Sequence, residues 1–133
     1  MRVVMAIVFV WCVAGATVCV AQKIKTSDYA ELSKAPEKAV NRANPLANDP
    51  DAVAAGQKLF GDHCAECHGQ NAAGARKGPS LLVEPVQKAT PGTLFWTLSN
   101  GQVRKGMPVW TKLPEPQRWQ LVSYIKSLQP RAQ

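Results

Sequence analysis

The run Cys64-Ala65-Glu66-Cys67-His68 holds the last two of four cysteines and one of the two histidines in a chain of 133 residues. On a helical turn, positions 64, 67 and 68 share one face. Two thiols so placed can add to the two vinyl groups of a haem while the adjacent imidazole reaches the iron. This is the Cys-x-x-Cys-His arrangement of covalent haem attachment. The composition of the chain gives roughly two chance occurrences of the motif per thousand such sequences. Three other readings use the same residues. A zinc site from His63, Cys64, Cys67 and His68 would draw four ligands from six consecutive positions, whereas tetrahedral zinc usually takes them from two separated segments. A thioredoxin-like dithiol needs a βαβ context, and no alternating strand pattern is visible. A plain disulfide suits an exported chain.

A haem held by His68 needs a donor on its other face, and methionine and histidine are the candidates. Met1 and Met5 belong to the apolar leader, so Met107 is the methionine left in the remaining chain. His63 adjoins Cys64, is tied to the proximal side, and reads as an exposed helix residue. Met107 lies in Gly101-Gln-Val-Arg-Lys-Gly-Met-Pro-Val-Trp110, where Gly106 and Pro108 favour a loop. A methionine there is less easily explained as core filler than one on an apolar helix face.

Outward from this centre, the N-terminus reads as a targeting segment. Arg2 is followed by an uncharged stretch to Gln22, with small residues around Ala21. This fits a secretory signal peptide over residues 1–21. The run is also long enough for an uncleaved membrane anchor. Cys12 and Cys19 fall within it. The whole chain is 46% apolar, but residues 1–21 hold a disproportionate share. In residues 22–133, Leu, Ile, Val and Phe account for only 21 positions, or 19%. That composition borders on that of disordered chains. The haem supplies the missing core volume, so the apo chain is expected to fold poorly. Collagen-like, coiled-coil and disulfide-dense classes are excluded by composition.

The remaining pattern is helical. Asp49 can cap a helix with Pro50 at its first position and Asp51 in its first turn. Val53, Gly56, Phe60 and Cys64 follow a helical stripe. A second helix is expected from Thr90-Pro91 to Asn100-Gly101, carrying Leu94, Phe95 and Leu98. A third is expected from Pro116 to Leu128, with Leu121, Val122, Tyr124, Ile125 and Leu128 inward. Trp119 reads as a surface-to-core residue of that helix. Residues 22–50 contain Pro36, Pro45 and Pro50 with little periodicity. They read as an extension or linker with one short turn that wraps the domain, leaving 51–133 as the haem domain.

Residues 51–129 resemble a class I c-type cytochrome. The resemblance rests on Cys64-Ala-Glu-Cys67-His68-Gly69, Gly78-Pro79-Ser80-Leu81, Asn100-Gly101, and Gly106-Met107-Pro108. Leu121-Val-Ser-Tyr124-Ile-Lys-Ser-Leu128 matches the closing helix. The short spacing from His68 to Met107 is similar to small bacterial forms. Asn44-Pro45-Leu46 and Leu113-Pro-Glu-Pro-Gln-Arg-Trp119 resemble a subgroup related to oxidase haem subunits. The resemblance implies an all-α fold of three main helices around one covalent haem c, with Gly56 and Phe60 meeting Leu121 and Tyr124 where the first and last helices cross. It implies that the ring N–H of His68 donates to the Pro79 carbonyl, which fixes the tautomer. Trp96 and Trp110 could pack on the haem, with an indole N–H reaching a propionate.

With both axial positions filled, the iron offers no open site for substrate of the kind catalytic metals keep. The expected function is therefore one-electron transfer in the bacterial periplasm, between a dehydrogenase or membrane complex and a terminal acceptor, and not enzyme catalysis. The alternative is a ligand-binding or peroxidase-like haem protein with a displaceable Met107. Asp62 and Glu66 flank the haem motif and are expected to face solvent. The formal charge is +7. Arg76-Lys77 and Arg104-Lys105 could steer an acidic redox partner, while Lys23, Lys25, Lys34, Lys38 and Arg42 could instead follow a membrane surface. Nucleic acid is not expected as a partner of an exported chain.

Overall fold

The computed structural model describes residues 26–128. The leader, including the expected cleavage after Ala21 and the anchor reading, lies outside the described residues. Six α-helices follow in order: α1 Glu37–Val40, α2 Pro50–His63, α3 Ala65–His68, α4 Glu84–Lys88, α5 Pro91–Asn100 and α6 Glu115–Ser127. Short 3-10 turns lie at Thr26–Asp28, Ala30–Lys34 and Val103–Lys105. Among the described residues there is no strand, only two isolated bridges, Ala75 with Gly78 and Gln102 with Met107. The fold is all-α, and α2, α5 and α6 are its main helices.

Local chemistry sets the helix ends. Asp49 stands at the N-cap of α2, where Oδ1 accepts from the amides of Asp51 (2.9 Å) and Ala52 (3.3 Å). Those donors have no partner within the helix, and Pro50 needs none. The Thr90 hydroxyl caps α5 through the Thr93 amide at 3.2 Å, with Pro91 behind it. These ends match the sequence reading. Helix α6 begins one residue earlier and ends one earlier than expected.

The central packing is the crossing of α2 and α6. A Cβ on Gly56 would lie 2.0 Å from the Gln120 carbonyl oxygen and 2.9 Å from Tyr124 Cβ. The bare glycine therefore lets the two backbones touch. One turn on, Phe60 meets Tyr124 with ring centroids 5.3 Å apart. Phe60, Leu121 and Val122 are fully buried around this contact.

Trp119 differs from its expected surface-to-core position. It is 1% exposed and stacks on Phe95 at 4.1 Å. The reason is the segment before α2. The Asn44 amide donates to the Ser123 hydroxyl (2.8 Å), and the Arg42 guanidinium lies 5.1 Å from the Trp119 ring and 4.6 Å from that of Phe95. Helix α6 is thus covered on two sides, and its buried face is wider than one stripe. Helix α1 packs against α5. There a Cβ on Gly92 would meet the Ala39 carbonyl oxygen at 1.9 Å. The Thr90 hydroxyl also donates to the Val40 carbonyl at 2.8 Å.

Candidate functional site

Helix α2 runs into α3 through Cys64. The amides of Cys67 and His68 both bond to the Cys64 carbonyl, at 3.1 and 2.9 Å. This tight turn brings both thiols and the imidazole to one cleft. Cys64 is buried and Cys67 half-buried, and neither forms a disulfide in the structure. Burial pushes the Cys64 thiol up to about 11, with the charge of Cys67 adding to the rise. Gly69, at φ +81°, closes α3, and the chain then returns through the Gly74 amide to the His68 carbonyl at 2.8 Å.

The returning loop holds the histidine. His68 Nδ1 lies 2.8 Å from the Pro79 carbonyl oxygen. Proline stiffens that carbonyl's position. A carbonyl can only accept, so the Nδ1 atom carries the proton and Nε2 is left as the lone-pair donor. Gly78 makes the approach possible: a Cβ there would lie 2.9 Å from the Cys67 carbonyl oxygen and 3.2 Å from His68 Nδ1. The loop is further fixed by the Ala75 amide on the Gly78 carbonyl (2.9 Å) and the Leu81 amide on the Ala72 carbonyl (2.8 Å).

Met107 reaches the same cleft from the other end of α5. Gly101 turns the chain at φ +64°, and Gly106 takes the left-handed conformation at φ +87°. Between them the Gln102 amide donates to the Met107 carbonyl (2.9 Å) and the Met107 amide donates back (3.2 Å). The Trp110 amide on the Leu98 carbonyl, at 3.1 Å, returns the loop to α5. Met107 is therefore held by a short backbone clasp, not by a helix face.

The cleft measures about 1420 Å³ and is lined by Cys64, Cys67, His68, Pro79 and Met107. Phe60, Leu82, Val83, Val86, Leu94, Leu98 and Ile125 form its apolar wall. Two thiols, an oriented imidazole, a thioether and an apolar wall fit a covalently attached haem. Among the described residues no cluster of three or more His, Cys, Asp and Glu side chains could hold a free metal ion.

The other expected site residues divide. Trp110 lines the cleft and rests against the His63 ring, centroids 5.6 Å apart. His63 is otherwise exposed. Trp96 does not line the cleft. It lies on α5 away from Leu94, Thr97 and Leu98, which do, because two residues' offset on a helix turns a side chain to the far side. Arg76, Lys77 and Lys105 reach the rim, whereas Arg104 does not. Lys77 forms an ion pair with Glu66, and the Lys105 ammonium donates to the Ser27 carbonyl. Asp62 and Glu66 are exposed. Tyr29 and Leu32 also line the cleft. Neither was singled out from the sequence. They lie in a segment without periodicity, and only the return of that segment onto the domain brings them there.

Comparison with known proteins places the fold and the family. The family model described as cytochrome C oxidase, cbb3-type, subunit III matches residues 51–125. The chain is 33% identical over 88 residues to the cbb3-type cytochrome c oxidase subunit CcoP of Rubrivivax gelatinosus, which covers 65% of this chain and 29% of that protein. The chain thus spans under a third of that relative's length. Cytochrome cL from Methylophaga aminisulfidivorans MPT has a similar structure, with a TM-score of 0.58 and 27% identity over 65% of this chain and 59% of the other. Cytochrome cL from Hyphomicrobium denitrificans shares the fold, at a TM-score of 0.52 and 20% identity over 74% of this chain and 66% of the other. The match over residues 51–125, on a fold whose cleft gathers the Cys64–His68 motif, means that the chain belongs to the cbb3-type oxidase subunit III family of class I c-type cytochromes and carries covalently bound haem c.

Proposed function

We propose that this chain is a one-electron carrier of the bacterial periplasm in which His68 and Met107 bind the haem iron on its two faces. Family membership supports the coarser reading of a haem-based electron carrier. The observation that carries the finer one is the convergence of Cys64, Cys67, His68 and Met107 on one cleft, with His68 Nδ1 2.8 Å from the Pro79 carbonyl. Bound haem c supplies a ferric/ferrous couple, and a methionine ligand raises its potential. The protein's own groups do the rest. Cys64 and Cys67 tether the group, and Pro79 leaves Nε2 of His68 free to bind. The apolar wall keeps water away, and the Gln102–Met107 clasp holds the thioether in place. With both His68 and Met107 holding the iron, haem would keep no open position for substrate, which supports a carrier role over catalysis.

The partner is proposed to be an acidic redox protein, such as a dehydrogenase, an oxidase or another cytochrome. The relative's place as an oxidase subunit supports an oxidase complex as one such partner. Arg76, Lys77 and Lys105 reach the cleft rim and Arg104 adjoins Lys105 in the chain, and these four cations would steer the encounter. No helix among the described residues is long and apolar enough to cross a membrane, and export rests on the reading of residues 1–21.

The test is a set of spectra of holoprotein in the oxidised, reduced and carbon-monoxide-treated states. A low-spin haem with the far-red Met–iron(III) band, unmoved by carbon monoxide, is expected. A high-spin haem, or rapid carbon monoxide binding, would remove Met107 as a stable ligand and favour a ligand-binding or peroxidase-like protein.

A further inference from the structure

The segment before α1 crosses the cleft and is tied to a loop on each side of it. The Tyr29 phenol donates to the Ser80 carbonyl at 3.0 Å, fifty-one residues away in sequence. Ser80 directly follows Pro79, whose carbonyl faces His68 Nδ1. Two residues before Tyr29, the Ser27 carbonyl accepts from Lys105, which stands two residues before Met107. Tyr29 and Leu32 line the cleft between these ties. The chain is held down again just beyond this stretch, where the Ala39 carbonyl of α1 and the Arg42 carbonyl after it lie against Gly92.

We propose that Tyr29 is a positioning residue for the haem iron, fixing through the Ser80 carbonyl the Gly78–Ser80 loop that orients His68. The inference rests on the reading of His68 as an axial ligand. The Gly78–Ser80 loop has little side-chain mass of its own, and Gly78 must stay bare to let it approach Cys67. Local backbone bonds, Ala75 with Gly78 and Leu81 with Ala72, shape the loop, and its distance from His68 depends also on what holds it from outside. The Ser80 hydroxyl turns away to the Leu82 amide at 3.2 Å, so it reinforces the loop only locally. Tyr29 gives it an anchor from a distant part of the chain. A firm Nδ1–H···O bond makes the imidazole a more basic ligand. A more basic ligand favours the ferric state, which carries the greater positive charge. Loss of the anchor should therefore weaken that bond and raise the reduction potential.

The experiment compares holoprotein of the parent sequence with Tyr29→Phe and Leu32→Ala. Two quantities are read: the reduction potential, and the hydrogen-exchange rate of the His68 Nδ1 proton in the reduced protein by NMR. Tyr29→Phe keeps the ring in the cleft wall and removes only the donor. It is expected to raise the potential and speed the exchange. Leu32→Ala thins the same wall without touching a tie and is expected to speed the exchange less than Tyr29→Phe and to leave the potential nearer that of the parent. Parent-like potential and exchange in Tyr29→Phe would overturn the proposal. Equal acceleration in both variants would also overturn it, since the segment would then act only as a shield. If the parent protein itself shows no iron-shifted His68 ring resonance, the axial reading fails first, and the two failures are told apart.

Discussion

At the residue scale the site depends on a few positions where one atom decides the geometry. Gly78 is the sharpest of them. Replacing it with alanine puts a Cβ 2.9 Å from one backbone oxygen and 3.2 Å from the histidine ring nitrogen. Neither neighbour is a flexible chain end, so the loop itself must shift. Overpacking of this kind costs about 1–3 kcal/mol. Gly78→Ala holoprotein should unfold at lower urea concentration than the parent, with the same m-value; an unchanged midpoint would show that the loop yields freely. Tyr29 adds a pH dependence. Burial, and then the charge of Asp28, raise its phenol above the ordinary value of 10.0. The proton is held more tightly in the folded state, so this stabilisation is fully present below pH 10 and is lost as pH climbs through the folded value. Urea titrations from pH 9 to 12 should show the parent losing stability over that window and Tyr29→Phe losing less.

At the scale of elements, the α2–α6 crossing carries the domain and the α2 cap starts it. The side chain of Asp49 satisfies two amides that have no other partner, and Asp49→Ala should cost about 1 kcal/mol. Gly56 holds the crossing. A valine there would drive a side chain into the Gln120 carbonyl, where the approach is already closer than any Cβ contact allows. Gly56→Val should therefore destabilise far more than the cap variant. Thermal unfolding of both, followed by helical circular dichroism, checks the order, and a reversal would mean that α2 and α6 can separate cheaply. The caps were legible from the sequence because proline, aspartate and threonine act on their immediate neighbours. Helices α1 and α4 were not, since four or five residues make too little of a period to read.

At the scale of the whole molecule, cofactor and charge are the two controls. The cleft of about 1420 Å³ lies among the apolar side chains that make up the core. Without haem those walls would face each other across water, and the chain has few large aliphatic residues to spare. Apoprotein from a Cys64→Ala, Cys67→Ala double variant should show weak helical signal and broad, non-cooperative melting, whereas a sharp native-like transition would refute the cofactor's structural part. Charge acts at longer range. Exposed charges are screened beyond about 8 Å at physiological salt. Charge reversal at Arg104 should slow oxidation by an acidic partner at low ionic strength, with the rates converging as salt is added. Equal rates at low salt would remove Arg104 from the encounter surface.

Reading along the chain was enough for the haem attachment motif, the candidacy of Met107 and, to within a residue, the starts of the three main helices and the ends of α5 and α6. The motif and the helix ends rest on residues close together in the chain, where spacing alone fixes which atoms can meet, while Met107 stands out by elimination as the methionine left beyond the leader. Tertiary structure decided the rest. Trp96 faces away from the cleft and Trp119 is fully buried, because helix rotation is set by what packs on each face. The roles of Gly78 and Gly92 come from backbone approaches between segments 11 and more than 50 residues apart, which no local pattern encodes. Tyr29 reaches the site because the Pro-rich segment before α2 returns across the domain, a path set by contacts with α5 and α6 and not by its own propensity.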